Sequence, residues 1–184
     1  MRILIVLSCL LFSFDLAAQD RPVVLAEGEG LAGTFSQKRY LAGFDRAIES
    51  NGTYSFDREI GLFWKTLTPF ATTLVINETG MMQSVDGQET MKISLDQFPA
   101  LKTLHDVLSL SMLGRWDVLE EKFGTKLVPD ADGWTLSFDA PADAPFKSVF
   151  LKGGLYLDRL EIIKPQEDKD EITFADQTVF QVKE

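Results

Sequence analysis

Hydrophobic positions recur along this chain with two different periods, and the period changes twice. Between residues 33 and 85, apolar and polar residues alternate in short runs, the pattern of strands with one face turned inward. Residues 33–40 read as an extended, largely polar strand. Asn51-Gly52 reads as a tight turn leading into Thr53-Tyr54-Ser55-Phe56-Asp57, where aromatics alternate with polar residues. Further strands are predicted over 62–67, ending before Pro69, over 72–77 with Leu74, Val75 and Ile76, and over 81–85, closed by Asp86-Gly87. Runs this short, separated by turn residues, predict an antiparallel meander.

From Leu95 to Phe123 the period becomes helical. Leu101, Leu104, Val107, Leu108 and Met112 recur at intervals of three and four, and Gly114 supplies a helix stop. A second short helix is predicted over 116–123, with Val118, Leu119 and Phe123 on one side. Strands then return: Trp134, Leu136 and Phe138 alternate with polar residues, Val149 and Leu151 follow, and Gly153-Gly154 turns the chain. Tyr156, Leu160 and Ile162 are expected on one face of the next strand, Ile172 and Phe174 on another, with Phe180 and Val182 beginning a last one. Strands, a helical middle and strands again predict an α+β fold with one long antiparallel sheet.

The N-terminal region belongs to neither pattern. Residues 19–30 carry Pro22, Gly28 and Gly30 and read as irregular. Before them, Met1-Arg2, an apolar run over 3–16 and Ala17-Ala18 read as a cleavable signal peptide over 1–18. The run is shorter than the roughly 20 residues of a spanning helix. Cleavage after Ala18 would leave Gln19 first. Cys9, the only cysteine, lies inside the apolar run and not directly behind it, so no lipid anchor is expected. Past the leader neither a disulfide nor thiolate chemistry is possible. The expectation is an exported, unanchored, soluble monomer in a bacterial periplasm, one domain over 19–184 with a real core of its own.

Charge narrows the partners. Eighteen bases stand against 28 acids, a net charge of −10. That balance argues against nucleic acid and against stable docking on anionic lipid, leaving only transient membrane contact. Candidate chemistry is thin. His105 is the lone histidine, set on the first predicted helix. No paired-histidine zinc motif, nucleophile elbow or phosphate loop occurs. Glu120-Glu121 and the acids of 168–171 read as solvated faces, and Asp130-Ala131-Asp132-Gly133 reads as a hairpin turn without a full calcium loop. No catalytic residue, metal or cofactor is expected, and the chain is not expected to be an enzyme. What it has in quantity is aromatic surface: most of its 14 phenylalanines and all 3 tryptophans follow the leader. These suit either an ordinary core or a cavity for an apolar ligand, and composition leaves both open.

Phe35-x-Gln37-x-Arg39, Gly52-x-Tyr54, the stretch from Arg58 to Trp64 and Pro69-Phe70 resemble the outer-membrane lipoprotein carriers, the LolA-like family. So do Leu113-Gly114-Arg115-Trp116-Asp117-x-Leu119 to Phe123, Trp134-x-Leu136 and Ile172-Thr173-Phe174. The chain departs from the family at Glu59, where a proline is usual, at Leu62, where a phenylalanine is usual, and over 19–30, which replaces an amphipathic first helix. The resemblance implies an incomplete, half-open antiparallel β-barrel with helices covering its open side. It implies a carrier that receives lipoprotein cargo from an inner-membrane release complex and passes it to an outer-membrane receptor. The departures suit a divergent cargo, a glycolipid or polyene-type lipid. A non-enzymatic lipid- or protein-sensing module on the same half-barrel is the alternative.

By the same resemblance Arg58 is the expected latch, bonding carbonyls of the helical lid. Phe35, Tyr54, Phe56, Leu62, Phe63, Trp64, Leu74, Ile76, Met82, Leu104, Leu108 and Met112 are the expected cavity lining. Met81, Met82 and Met112 would make it adaptable.

Overall fold

A computed structural model of the chain describes residues 22–142 and 144–182, without the side chains of 99 and 100. The expected signal peptide, its cleavage point and Cys9 lie outside the described residues. The elements are β1 (Glu29–Tyr40), β2 (Ile48–Asp57), β3 (Gly61–Thr68), β4 (Thr72–Asn77), β5 (Gly80–Val85), β6 (Gln88–Ser94), α1 (Pro99–Met112), α2 (Trp116–Phe123), β7 (Val128–Asp130), β8 (Gly133–Asp139), β9 (Ser148–Gly153), β10 (Leu157–Ile163) and β11 (Lys169–Gln181).

All eleven strands form one sheet in the order β6-β5-β4-β3-β2-β1-β11-β10-β9-β8-β7, and each neighbouring pair is antiparallel. Two meanders thus spread in opposite directions from the central pair β1–β11. The edges β6 and β7 are not joined to each other, so the barrel stays open. This topology explains the helical middle of the sequence. After β6 the chain must travel to the opposite edge to begin β7, and α1 and α2 make that crossing over the sheet's inner face.

Alternation decides which face is inner. In β8, Trp134, Leu136 and Phe138 are buried, whereas Ser137 and Asp139 are exposed. Opposite them in register, Leu151 and Val149 of β9 are buried too. The same face continues through Leu160 and Ile162 of β10 and Ile172 of β11.

Four expectations change. Asn51-Gly52 is not a turn but lies inside β2, at a bulge against β3. A Cβ on Gly52 would sit 1.9 Å from the Lys65 carbonyl oxygen and 3.0 Å from the Phe35 ring, so the glycine is there to admit a neighbouring strand and a ring. Residues 88–94 form β6, a strand that the sequence reading passes over because five of its seven residues are polar or charged. Leu157, not Tyr156, takes the inward place, because a bulge follows it in β10. Phe174 and Phe180 share one long strand, β11, whose bulge against β1 is marked by Asp176 at φ 52° and held by the Thr34 hydroxyl donating to its carboxylate at 2.8 Å.

The helices are finished differently. α2 carries Asp117 in its first turn and Lys122 in its last, matching the helix dipole, and ends on left-handed Gly124 at φ 62°. α1 begins with a proline and carries no acid in its first turn and no base in its last, and neither helix has a side-chain N-cap.

Candidate functional site

The inner face is centred on rings. Phe35 stacks on Trp64 with centroids 3.7 Å apart. Phe174 meets Trp64 and Tyr54 edge-on at 6.0 Å and 5.2 Å, the geometry that ring quadrupoles favour. Tyr54 donates its hydroxyl to Gln177 at 2.7 Å. Burial, and then the charge of Asp158, hold this phenol above its usual pKa, so it stays a neutral donor. The region of contact is filled by the protein's own side chains.

To one side of the rings lies the wing β7–β10, covered by α2. Trp116 packs on Trp134 at 3.9 Å and Phe123 stacks on Phe138 at 4.0 Å. Trp134 donates its indole N–H to the Gly154 carbonyl at 2.6 Å. Leu151 and Leu160 beneath are fully enclosed.

On the other side, β3–β6 continue the face in two cross-strand rows. One runs Leu62–Ile76–Met81–Ile93 and the other Trp64–Leu74–Gln83–Met91. Burial fades along both: Leu62 and Trp64 are buried, whereas Leu74, Met81, Met91 and Ile93 are partly exposed. From α1, Val107, Leu108 and Met112 enter the core and Leu104 packs against it.

Of the expected lining, Phe35, Tyr54, Phe56, Leu62, Trp64, Leu74 and Ile76 share the inner face by register, with Leu104, Leu108 and Met112 roofing it. Phe63 and Met82 do not join them. Strand alternation turns both outward, where Phe63, Val75 and Met82 form a row on the convex face, each end 38% exposed. Phe63 follows Leu62 in one strand, and Met82 follows Met81 in another, so neither pair can face one way. The sequence reading misses Phe174, Met91 and Ile93. A strand period imposed on 88–94 would have found the last two.

Arg58 is linked to the end of α1 by way of another segment. Its guanidinium Nη2 donates to the Leu25 carbonyl at 3.0 Å. Leu25 in turn donates its own N–H to the Leu113 carbonyl at the end of α1, also at 3.0 Å, and Val23 donates to the Leu155 carbonyl at 2.8 Å. Residues 22–26 are therefore a strap outside regular secondary structure, anchored by the buried Leu25 side chain. Gly114 makes room for the strap: it has φ 71°, and a Cβ there would lie 1.9 Å from the Val23 carbonyl oxygen. Asp57 sets the turn that carries Arg58, its buried carboxylate accepting the N–H groups of Glu59 at 2.9 Å and Ile60 at 2.7 Å. Arg58, expected to bond carbonyls of a helix, thus bonds the segment 22–26 instead.

Between the turns β2–β3 and β4–β5 and the side of α1 is a rim cavity of about 440 Å³, bordered by Arg58, Glu59, Glu78, His105 and Ser109. Ser109 Oγ lies 3.2 Å from His105 Nε2, and His105 Nδ1 lies 3.1 Å from Asp106 Oδ1. Asp106 also pairs with Lys122 of α2 and with Lys102. Burial pushes its carboxyl up, but the hydrogen bonds from Lys122 and His105 and the charges of Lys122 and Lys102 outweigh it and hold the group below the ordinary carboxylate range. The cluster ties α1 to α2 by polar contacts that water can replace. Among the described residues, no group of three or more His, Cys, Asp or Glu is placed to hold a metal ion, and no helix is long and apolar enough to cross a membrane.

No family model matches the chain, and no curated protein matches it. Solved structures similar to it include a LolA superfamily protein from Nitrosomonas europaea, at 7% identity and TM-score 0.44, with 88% of this chain and 89% of that one covered. The chain is similar to LolA-superfamily structures. A domain described as an outer membrane lipoprotein-sorting protein, from Vibrio parahaemolyticus, aligns at 8% identity and TM-score 0.38, covering 85% of this chain and 87% of that one. LprF from Mycobacterium bovis aligns at 13% identity and TM-score 0.34, covering 85% and 90%. At such identities the likeness is one of fold and assigns no role to any residue.

Proposed function

We propose that this protein is a soluble periplasmic carrier that covers the acyl chains of a lipoprotein or lipid and delivers them towards the outer membrane. The observation that carries the proposal is the unequal finish of the inner face. One wing is sealed by α2, while the wing beneath α1 leaves Leu74, Met81, Met91 and Ile93 partly in solvent. Each methylene drawn out of water contributes about 0.8 kcal/mol, so an acyl chain added to these rows and displacing α1 would be held strongly. The unbranched methionines fit irregular chains. Release requires that the empty state also be stable, and the rings of Phe35, Trp64 and Phe174 with the α1 leucines supply that closed state. The lid is held at its far end by the Arg58–Leu25–Leu113 relay and by Asp106, contacts cheap to exchange with water.

The test is to isolate the native protein from periplasm, identify bound material by mass spectrometry, and follow transfer of a lipidated protein between donor and acceptor vesicles. A carrier yields stoichiometric acylated cargo and accelerates transfer. Repeated recovery of empty protein with no transfer would sink the proposal. Bound lipid without transfer would instead favour a sensing module.

A further inference from the structure

Every hairpin turn of β1–β6 falls at one of two ends of the sheet, and the ends differ. The end bearing the β2–β3 and β4–β5 turns is bordered by α1 and the strap. The opposite end carries the connections β1–β2 (41–47) and β3–β4 (69–71), which belong to adjacent hairpins in the strand order. On these connections and the strand ends beside them stand Phe70, 78% exposed, Phe44, 72%, Ile48, 52%, and Leu67, 48%. No other large hydrophobic side chain among the described residues is as exposed as the two phenylalanines.

The loop that bears Phe44 is braced in this position. Phe44 donates its N–H to the Leu41 carbonyl at 3.1 Å, and Ala42 donates its N–H to the Asp168 carboxylate at 2.9 Å. Below it the hairpin is paired from Arg39↔Ile48 downward, and Asn51 of β2 pairs Thr68 of β3. The rings are thus carried on ordered hairpins about two strand spacings, roughly 10 Å, apart across the sheet, with the β1–β2 hairpin running three residues, roughly 10 Å, further along the strands than the end of β3.

We infer that the Phe44 and Phe70 hairpin tips are the surface by which this protein docks on a lipid bilayer. The inference rests on the carrier reading, which requires contact with a membrane at pick-up or delivery, and it names the face that makes it. A protein partner is the poorer fit on area. Stable protein interfaces bury about 800 Å² per partner, whereas two rings and two aliphatic side chains offer a few hundred at most, roughly 150–250 Å² for each ring. The polar Asn51 and Thr68 lie between the hairpins, so no continuous apolar floor joins them. Separate projecting side chains with polar backbone behind them are a form that enters the headgroup/acyl boundary, where Phe and Leu side chains are buried. With the chain at net charge −10, attraction to anionic lipid does not supply the binding. Insertion of apolar side chains does, and it is weak enough to be transient.

The experiment uses the full mature chain and vesicles of phosphatidylethanolamine and phosphatidylglycerol. Wild type is expected to co-sediment with them nearly independently of salt. The double variant Phe44→Ser/Phe70→Ser should lose roughly tenfold in partitioning for each ring removed. The pair Ile60→Ser/Val128→Ser, also well exposed but away from these tips, should bind as wild type. Phe70→Trp should show quenching of the new fluorophore by brominated acyl chains beyond that of the native tryptophans. The inference is overturned if wild type does not bind, if the double variant binds equally, if both pairs lose equally, or if Phe70→Trp shows no quenching beyond that of the native tryptophans. Cargo transfer measured in parallel separates the two readings. Docking without transfer removes the carrier and keeps the docking face, and undiminished transfer by the double variant does the reverse.

Discussion

Beneath α2, Leu136, Leu151 and Leu160 are closed off from solvent, whereas beneath α1 the rows ending at Met91 and Ile93 become partly exposed. Both wings are antiparallel meanders of similar strand length, so the strands do not make the difference. The cover does. α2 brings two rings, Trp116 and Phe123, down onto two rings of the sheet, and it carries matching charge at both ends and a glycine stop. α1 brings aliphatic side chains, carries no acid in its first turn and no base in its last, and ends on hydrogen bonds to a strap. Close-packed aromatic pairs are costly to separate. Aliphatic cover over a partly wet face costs less to lift, so the carrier proposed above would open at α1, with α2 as its fixed base.

The largest effect that tests this contrast is on stability. Leu160→Ala, in the sealed wing, should destabilise by about 3 kcal/mol, within the range for leucine truncation in a tight core. Leu74→Ala, in the open wing, should cost about 1 kcal/mol, since its side chain is partly solvated already. Urea denaturation of both variants measures the difference. Equal costs would mean that the two wings are packed alike. Leu74→Glu should then abolish acyl retention while the chain still folds.

A smaller effect isolates the strap. Arg58→Leu removes one charged donor to a carbonyl and should cost about 1 kcal/mol. Its sharper signature is local. Hydrogen exchange at the Leu25 amide, which bonds the Leu113 carbonyl, should quicken, while the Leu151 amide in β9 keeps its protection. If both amides quicken together, Arg58 supports the whole fold and not the lid. If neither moves, the relay carries nothing.

The sequence makes some of this plain and hides the rest for identifiable reasons. Trp134, Leu136 and Phe138 announce their strand because half-buried antiparallel strands alternate. The helix over 116–123 is legible to the residue because glycine on each side bounds it. β6 is hidden because an edge strand needs few apolar residues, and Gln88, Glu89, Thr90 and Lys92 are edge chemistry. Gly52 misleads because Asn-Gly is the strongest short turn signal, yet here the glycine answers a steric demand from Lys65 and Phe35 that no local pattern contains. The same holds for the site. Inner and outer faces follow from period two, and applying it strictly would have turned Phe63 and Met82 outward. The strap could not be found this way, because Val23, Leu25 and Gly114 meet only through tertiary contact.

The smallest effect is the pH dependence of the joint between the wings. Asp106 of α1 pairs with Lys122 of α2, and its carboxyl is held below the ordinary range despite burial. In the unfolded chain it would titrate near the ordinary aspartate value, about 3.9. Above that both states are ionised and the pairing contributes fully. As pH falls through the unfolded value, the unfolded state takes up the proton first, and the contribution is gone below the lower folded value. Asp106→Asn should therefore flatten part of the acid-side loss of stability below about pH 4 and change little of the slope above it. A residual slope is expected in the variant, because Asp170, near one end of the β1–β11 pairing, is also held low by Arg39 and Lys164 against its burial. Urea midpoints across the acid range measure both. The comparison of wings adds a demand on location. In wild type, acid should loosen the α1 amides before those of β9, and in Asp106→Asn the α1 amides should already exchange faster at neutral pH. Were β9 to loosen first, the sealed wing would be the one that opens.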